Sequence, residues 1–270
     1  MKLAKRLDVF LTENNLVDSR EKAKRLIMAG KVRVNGIVAK KASDKVVDSS
    51  EITLEDKQAF VGRGGFKIEK ALNEFDISVT DLVLMDVGAS TGGFTDCLLK
   101  RGAKKVYSID VGYGQLDWRL RTDDRVEVME RTNARYLKPS DFDQLPCGAV
   151  MDVSFISIKK IIPALMNIIG KDGFIASLIK PQFEAGRGKV GKNGIITNPQ
   201  THIDVLKDMI AFADETQNLS IGGITFSPIK GAGGNVEFLM HFIIGEKKAK
   251  VTDWNEQINI LVETAHKLKK

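Results

Sequence analysis

Only two cysteines occur in the 270 residues, Cys97 and Cys147, and they form no recognisable metal-binding or redox spacing. Both are read as plain thiols, with no disulfide framework between them. The chain also lacks an apolar run long enough to span a membrane, its densest stretches being broken by Pro163 or His241. Met1 to Leu11 is basic but has neither a hydrophobic segment nor a cleavage site, so it does not read as a secretion signal, and the cytoplasm is the expected location. Charge of one sign is only modestly in excess, with 41 Lys and Arg against 35 Asp and Glu, so where that excess lies matters more than its size. Apolar residues are plentiful at 43% of the chain, enough for one large domain or a large and a small one.

The most informative stretch runs from Leu82 to Asp110. Val83, Leu84, Met85 and Val87 form the continuous apolar run of a strand buried on both faces, and Gly88 permits a tight turn. A helix follows, with Ser90 or Thr91 as its expected cap, Phe94, Cys97 and Leu98 at helical spacing, and Gly102 as its stop. A second apolar run, Val106 to Ile109, ends in Asp110. An acidic residue at the tip of the second strand of a βαβ unit suits an adenosine-containing cofactor. In a dinucleotide site the middle glycine of the turn lets the backbone approach a pyrophosphate, and here that position is Ser90. A cofactor without phosphate, S-adenosylmethionine, fits better, with the Asp110 carboxylate accepting from its ribose hydroxyls.

The first 52 residues read as a separate small module. Leu7, Val9, Phe10 and Leu11 mark one helix. Asp18 or Ser19 followed by Glu21 caps a second, which buries Ala23, Leu26, Ile27 and Met28 and stops at Gly30. Val32 and Val34 alternate with charged residues, and Asn35-Gly36 signals a hairpin. The basic excess lies here, between Arg20 and Lys45. The phrase from Arg6 to Lys41 resembles the S4 RNA-binding domain, with Ser19-Arg20, Leu26-Ile27, Gly30 and Val32-x-Val34-Asn35-Gly36 at its signature positions. That resemblance implies binding to structured RNA, through phosphate contacts from Arg20, Lys24, Arg25 and Lys31, with Arg33 beside them. Residues 1–56 are thus expected to form an S4-like domain, 57–63 a linker, and 64–270 the catalytic domain.

Phe66 to Phe75 has helical spacing, with Ile68, Ala71, Leu72 and Phe75 on one face and Lys67 off it. Leu116 to Leu120 reads as a short helix, and Val126 to Met129 as a third strand with Asn133 near its tip as a candidate base contact. Gly148 to Met151 and Phe174 to Ile179 are further strands, ending in Asp152 and Lys180, with a helix from Ile158 to Ile168 between them. Ligands of open parallel sheets bind outside the carboxyl ends of the strands, so Asp110, Asp152 and Lys180 should share one edge. Glu184 to Ile196 reads as a long loop beside it, a candidate lid. After a helix from His202 to Phe212 and a strand from Ile221 to Phe226, Glu237 opens the strand Val236 to Ile244. If that strand runs antiparallel, Glu237 joins the same edge, where a lysine would offset its burial. A last helix is expected within Thr252 to Lys270, with Ile258, Ile260, Leu261 and Ala265 as its apolar side.

With these stretches assembled, nearly the whole chain resembles the TlyA family of haemolysin A-like proteins, regarded as ribosomal RNA cytidine-2′-O-methyltransferases acting on 16S and/or 23S RNA. The motifs that carry the resemblance are Gly64-Gly65-Phe66-Lys67, Asp86 to Thr95, Asp110 to Leu116, Glu130 to Asn133, Asp152 to Ser157, Lys180 to Glu184 and Gly234 to Phe238. The second domain is similar to the FtsJ-type 2′-O-methyltransferases, which implies an α/β Rossmann-like sheet, mostly parallel with one antiparallel strand. It also implies a catalytic Lys-Asp-Lys-Glu set at Lys67, Asp152, Lys180 and Glu237. The candidate cofactor contacts are Asp86, Gly88, Ala89, Ser90, Gly92, Gly93, Phe94, Asp110, Val111 and Asn133, and the implied partner is ribosomal RNA or a ribosomal subunit.

A ribose hydroxyl must lose its proton as it attacks the sulfonium methyl in line. Lys180 is the candidate base. A free lysine titrates near ~10.4, and burial with a second cation, Lys67, would lower that value. Stabilisation of the developing alkoxide by a charged Lys180 is the other division of labour. The chemistry requires no metal. Two other classes remain open on sequence alone: a nicotinamide oxidoreductase, whose phosphates Ser90 opposes, and a non-catalytic RNA-binding or membrane-damaging protein, which would need neither the four-residue set nor the glycine turn.

Overall fold

The computed structural model describes residues 4–17, 19–54, 59–245 and 253–267, and the chain divides into two units, Met1–Ala59 and Phe60–Lys270. In the first, β1 (Lys5–Arg6), α1 (Leu7–Glu13), α2 (Arg20–Met28), β2 (Val32–Val34), β3 (Ile37–Val38), β4 (Lys45–Val46) and β5 (Ile52–Leu54) follow one another. Ser19 caps α2 by accepting a hydrogen bond from the Lys22 backbone N–H. Asp18, the other expected cap, lies outside the described residues. Asn35 and Gly36 both take positive φ, 51° and 79°, as a two-residue hairpin between β2 and β3 requires. Leu7, Leu11, Ala23, Ile27 and Val32 supply the core of this unit.

A carboxylate sits inside that small core. Asp8 is fully buried and accepts hydrogen bonds from Arg6, at 3.0 and 3.1 Å, and from Arg20, at 3.2 Å. The Arg6 hydrogen bonds, ahead of those from Arg20, hold its carboxyl down at about 2. Arg20 therefore has an internal partner. Its side chain stays 54% exposed, and one engaged nitrogen leaves most of its N–H donors open to a phosphate.

The second unit contains α3 (Gly64–Glu74), β6 (Val83–Val87), α4 (Gly93–Lys100), β7 (Lys105–Ile109), α5 (Trp118–Arg121), β8 (Val126–Met129), β9 (Gly148–Met151), α6 (Ile162–Ile169), β10 (Phe174–Ile179), α7 (Pro181–Glu184), α8 (Pro199–Glu215), β11 (Leu219–Phe226), β12 (Phe238–Ile244) and α9 (Trp254–His266). Seven strands form one sheet in the order β11-β12-β10-β9-β6-β7-β8. The pairs from β10 through β8 are parallel, and β12 runs antiparallel to both its neighbours, as the family resemblance implied.

Alternation within the strands explains the layers. Leu84, Val106, Val150, Leu178 and Leu239 point into one apolar core, which includes Ile68 and Leu72 of α3 and Leu98 of α4. Met85, Val87, Ile109, Met151, Ile179 and Phe238 point into the other, with Leu165 of α6 and Leu206 of α8. The buried central strands are therefore covered on both faces.

Several sequence expectations need correction. Neither Ser90 nor Thr91 caps α4. The capping position is Gly92, held at φ 92° with no side-chain cap. Its place is taken by Asp86, which shares a sheet face with Leu84 and accepts from the backbone N–H and hydroxyl of Thr95 at 2.8 and 2.7 Å. Gly102 does stop α4, at φ 88°. The segment predicted as one helix from Ile158 breaks into a 3₁₀ turn, Ile158–Lys160, and α6, because Pro163 is tolerated only at a helix start. Helix α8 starts earlier than expected, since Asn198 caps it and Pro199 is its first residue. On α9, Val262 is buried while Ile260 is 58% exposed, so the buried face is rotated from the expected one.

Candidate active site

Parallel strands β6, β7, β9 and β10 all end at the same sheet edge, and antiparallel β12 begins there. Its register sets Phe238 opposite Ile179, which puts Glu237 beside Lys180 across the last rung of the ladder. Asp152 follows β9 directly. Lys67, in the first turns of α3, completes a linked row of charges. Its Nζ donates to Glu237 Oε2 at 2.7 Å and lies 4.0 Å from Asp152 Oδ2, while Lys180 Nζ is 2.6 Å from Asp152 Oδ1. The Lys180–Asp152 contact is close but not aligned as a hydrogen bond, which leaves Asp152 Oδ1 without a hydrogen-bond donor. Lys180 instead donates to Ser154 Oγ, at 2.8 Å.

Although the spacing sets Lys67 off the apolar face of its helix, its side chain is only 11% exposed because it turns inward to meet Glu237. Glu237 is buried, and desolvation pushes its carboxyl above the ordinary range against the pull of Lys67. Gly231 makes room for it, since a methyl group there would stand 1.9 Å from Glu237 Oε1.

Beside this row lies a cleft of about 460 Å³, lined by Gly88, Ser90, Asp110, Val111, Asn133 and Asp152, among others. Asp110 is fixed by two backbone donors, Ser90 N–H at 2.8 Å and Gly112 N–H at 2.7 Å, one on each oxygen. Each carboxylate oxygen retains a lone pair. Asn133 spends its side-chain oxygen on the Arg135 backbone N–H, starting a 3₁₀ turn, and also faces the cleft.

The remaining candidate cofactor residues lie behind the cleft wall. Asp86 is fully buried, and desolvation raises its carboxyl to about 7 despite the Thr95 hydrogen bonds. Phe94 and Ala89 belong to the core. A Cβ on Gly92 would stand 2.2 Å from Leu120 Cδ1, and one on Gly93 would stand 3.0 Å from the Gly65 nitrogen. These glycines thus let α3, which carries Lys67, and Leu120 of α5 press against the start of α4. Gly88 allows the backbone of Asp152 to pass, because a Cβ would meet its carbonyl oxygen at 2.5 Å.

Gln115, Arg135, Ser154 and Phe155, which no sequence pattern singles out, also line the cleft. Gln115, Ser154 and Phe155 lie inside the quoted motifs, but polar and aromatic loop residues carry no periodic signal. Phe155 is unusual on two counts: it has φ 64° and is 90% exposed, resting on Phe183 with ring centres 5.0 Å apart. The far end of the Glu184-to-Ile196 loop is tied to Asn235, which precedes Glu237 by two residues. Asn235 accepts from Ile196 N–H at 3.0 Å and donates to the Gly194 carbonyl at 3.0 Å.

A sheet of this order with a glycine turn and charged residues at its carboxyl edge defines a Rossmann-like group-transfer domain. The FtsJ-like methyltransferase model matches residues 60–243 and the S4 domain model residues 5–52, so the chain belongs to the FtsJ-like methyltransferase family and carries an S4 domain in front. It is 49% identical over 265 residues to YqxC of Bacillus subtilis, a protein named as a candidate rRNA methyltransferase, covering 97% of this chain and 94% of that one. It is 43% identical to the 16S/23S rRNA (cytidine-2′-O)-methyltransferase TlyA of Mycobacterium tuberculosis, over 87% of this chain and 88% of the relative. A solved structure described as a candidate hemolysin from Streptococcus thermophilus superposes with a TM-score of 0.74 at 45% identity, over 99% of this chain and 97% of that one. The resemblance to the TlyA family read from the motifs is borne out. No helix among the described residues is long and apolar enough to cross a membrane.

Proposed function

We propose that the chain transfers a methyl group from S-adenosylmethionine to the 2′-hydroxyl of a cytidine in ribosomal RNA, on one or both subunits. The observation that carries this reading is the Lys180–Asp152–Lys67–Glu237 row at the mouth of a cleft built round Asp110. The cleft suits a phosphate-free nucleoside. Asp110 offers its two remaining lone pairs to the ribose hydroxyls, and among the described residues that line the cleft Arg135 is the one cation, at Asn133 rather than at the glycine turn where a pyrophosphate would sit. When bound, the cofactor supplies an electrophilic sulfonium methyl.

The protein's part is to bring a weak nucleophile into line and manage its proton. Lys180 faces the ribose hydroxyl, either accepting its proton or holding positive charge against the forming alkoxide. Asp152 aims Lys180. Glu237 anchors Lys67, and Lys67 faces Asp152 from the other side. Phe155, exposed on the rim of the cleft, offers a face on which a splayed-out base can stack. The S4 domain supplies phosphate contacts through Arg20, Lys24, Arg25, Lys31 and Arg33, which make affinity salt-dependent and sequence-tolerant.

Calorimetric titration tests the cofactor assignment. S-adenosylmethionine should bind and NAD should not, and Asp110→Ala should weaken S-adenosylmethionine by roughly 10-fold or more, since two hydrogen bonds to a charged group are lost. Equal affinity for the parent and the Asp110 variant would remove the cleft from the mechanism.

A further inference from the structure

The loops after β7 and β8 are laced together: Arg131 N–H donates to the Gly112 carbonyl at 3.0 Å, Thr132 N–H to the Asp110 carbonyl at 2.9 Å and Gly114 N–H to Glu130 Oε1 at 2.9 Å. This lacing presents two tyrosines to solvent. Tyr113 and Tyr136 are each 68% exposed, although tyrosine usually buries most of its ring. Each carries a guanidinium, Arg131 centred 4.3 Å from the Tyr113 ring and Arg135 centred 5.0 Å from the Tyr136 ring.

The charge pattern of this rim is selective. Arg119 and Arg121 nearby are neutralised by Asp117 and Glu130. Arg131 and Arg135 are exposed, and among the described residues neither is ion-paired with a carboxylate. A merely solvated face would mix both signs, whereas exposed tyrosines capped by arginines with no carboxylate partner among the described residues, Arg135 bonding only the neutral Asn133 amide, match a polyanion with flat bases.

We propose that Tyr113, Arg131, Arg135 and Tyr136 form a second RNA-binding surface on the methyltransferase domain, on the far side of the cofactor cleft from the charged row. It takes unpaired bases by stacking on the tyrosines and the adjoining phosphates on the arginines. The proposal rests on RNA being the substrate. Its footprint then continues past the nucleotide being modified, and the surface acts on substrate binding rather than on the chemical step.

The test uses the full-length protein with Tyr113→Ala, Tyr113→Phe and Arg131→Gln, none of which lines the cleft. Binding to polycytidylate and methylation of isolated ribosomal subunits are measured across a salt series. Tyr113→Ala should weaken polycytidylate about 10-fold and raise KM for the subunit with kcat unchanged, and Tyr113→Phe should restore both, because stacking needs the ring and not the hydroxyl. Arg131→Gln should lower the slope of log affinity against log salt by about 0.7. Unchanged affinity and slope would overturn the proposal. So would a change in oligomeric state with RNA binding intact, which would mark the rim as a protein contact. If the parent binds polycytidylate through these residues yet methylates no subunit, the surface stands and the proposed reaction fails.

Discussion

Replacing Lys180 by alanine is expected to slow methyl transfer by about 10²- to 10⁴-fold, the range for loss of a general acid–base group, while S-adenosylmethionine and RNA still bind. Lys180 Nζ sits 2.6 Å from Asp152 Oδ1 and donates to Ser154 Oγ, so in the proposed reaction its loss removes the cation that would face the ribose hydroxyl. Asp110 keeps both of its backbone donors in this variant, which is why cofactor affinity should hold. Lys180→Arg separates the two possible roles. Arginine keeps the charge but cannot give up its proton, so a base would be lost outright and an electrostatic stabiliser partly kept. Single-turnover rates at saturating RNA provide the readout, and a near-normal rate for Lys180→Ala would remove the four-residue row from the chemistry.

Glu237→Ala should both unfold the catalytic unit more easily and abolish turnover. Lys67 is 11% exposed and Glu237 2% exposed in side-chain terms, and they meet at 2.7 Å. Removing one partner of such a buried pair strands the other charge, at a cost of about 3–5 kcal/mol. Asp152, at 4.0 Å, compensates only partly and is already engaged with Lys180. The double variant Lys67→Met with Glu237→Leu should recover most of that stability, because two apolar side chains of similar volume remove both desolvation penalties, yet it should stay inactive. Urea unfolding beside a methylation assay distinguishes the outcomes. Full stability in Glu237→Ala would show that the pair does not hold the unit together, and activity in the double variant that it does not shape the site.

Much of this arrangement is legible in the sequence, for identifiable reasons. Strands buried on both faces need continuous apolar runs, so Val83 to Val87 and Phe174 to Ile179 declare themselves, and the polar residues that end such runs stand out. Glu237 is conspicuous because a carboxylate before an apolar strand demands a partner. Lys67 is not, since helical periodicity marks only the Ile68–Ala71–Leu72 face, and an inward lysine beside it depends on a residue 170 positions away. The glycines were the most ambiguous signal. A glycine shows that something passes close by but not what. At Gly92 and Gly93 the close neighbours are Leu120 and the start of α3. Ser154, Gln115 and Arg135 escaped for a related reason: loop residues obey no period, and their role depends on which neighbouring strand tips the sheet order brings together.

The most direct measurement of the central claim is the position of the transferred methyl. Isolated small and large ribosomal subunits would be incubated with the protein and S-adenosylmethionine carrying a labelled methyl group, and the RNA then digested with alkali. A methylated 2′-oxygen cannot attack its own phosphodiester, so the account predicts label in an alkali-resistant dinucleotide whose 5′ residue is cytidine, accumulating about 10²- to 10⁴-fold more slowly with Lys180→Ala. Label recovered only in alkali-sensitive mononucleotides, on a base rather than a ribose, would contradict it.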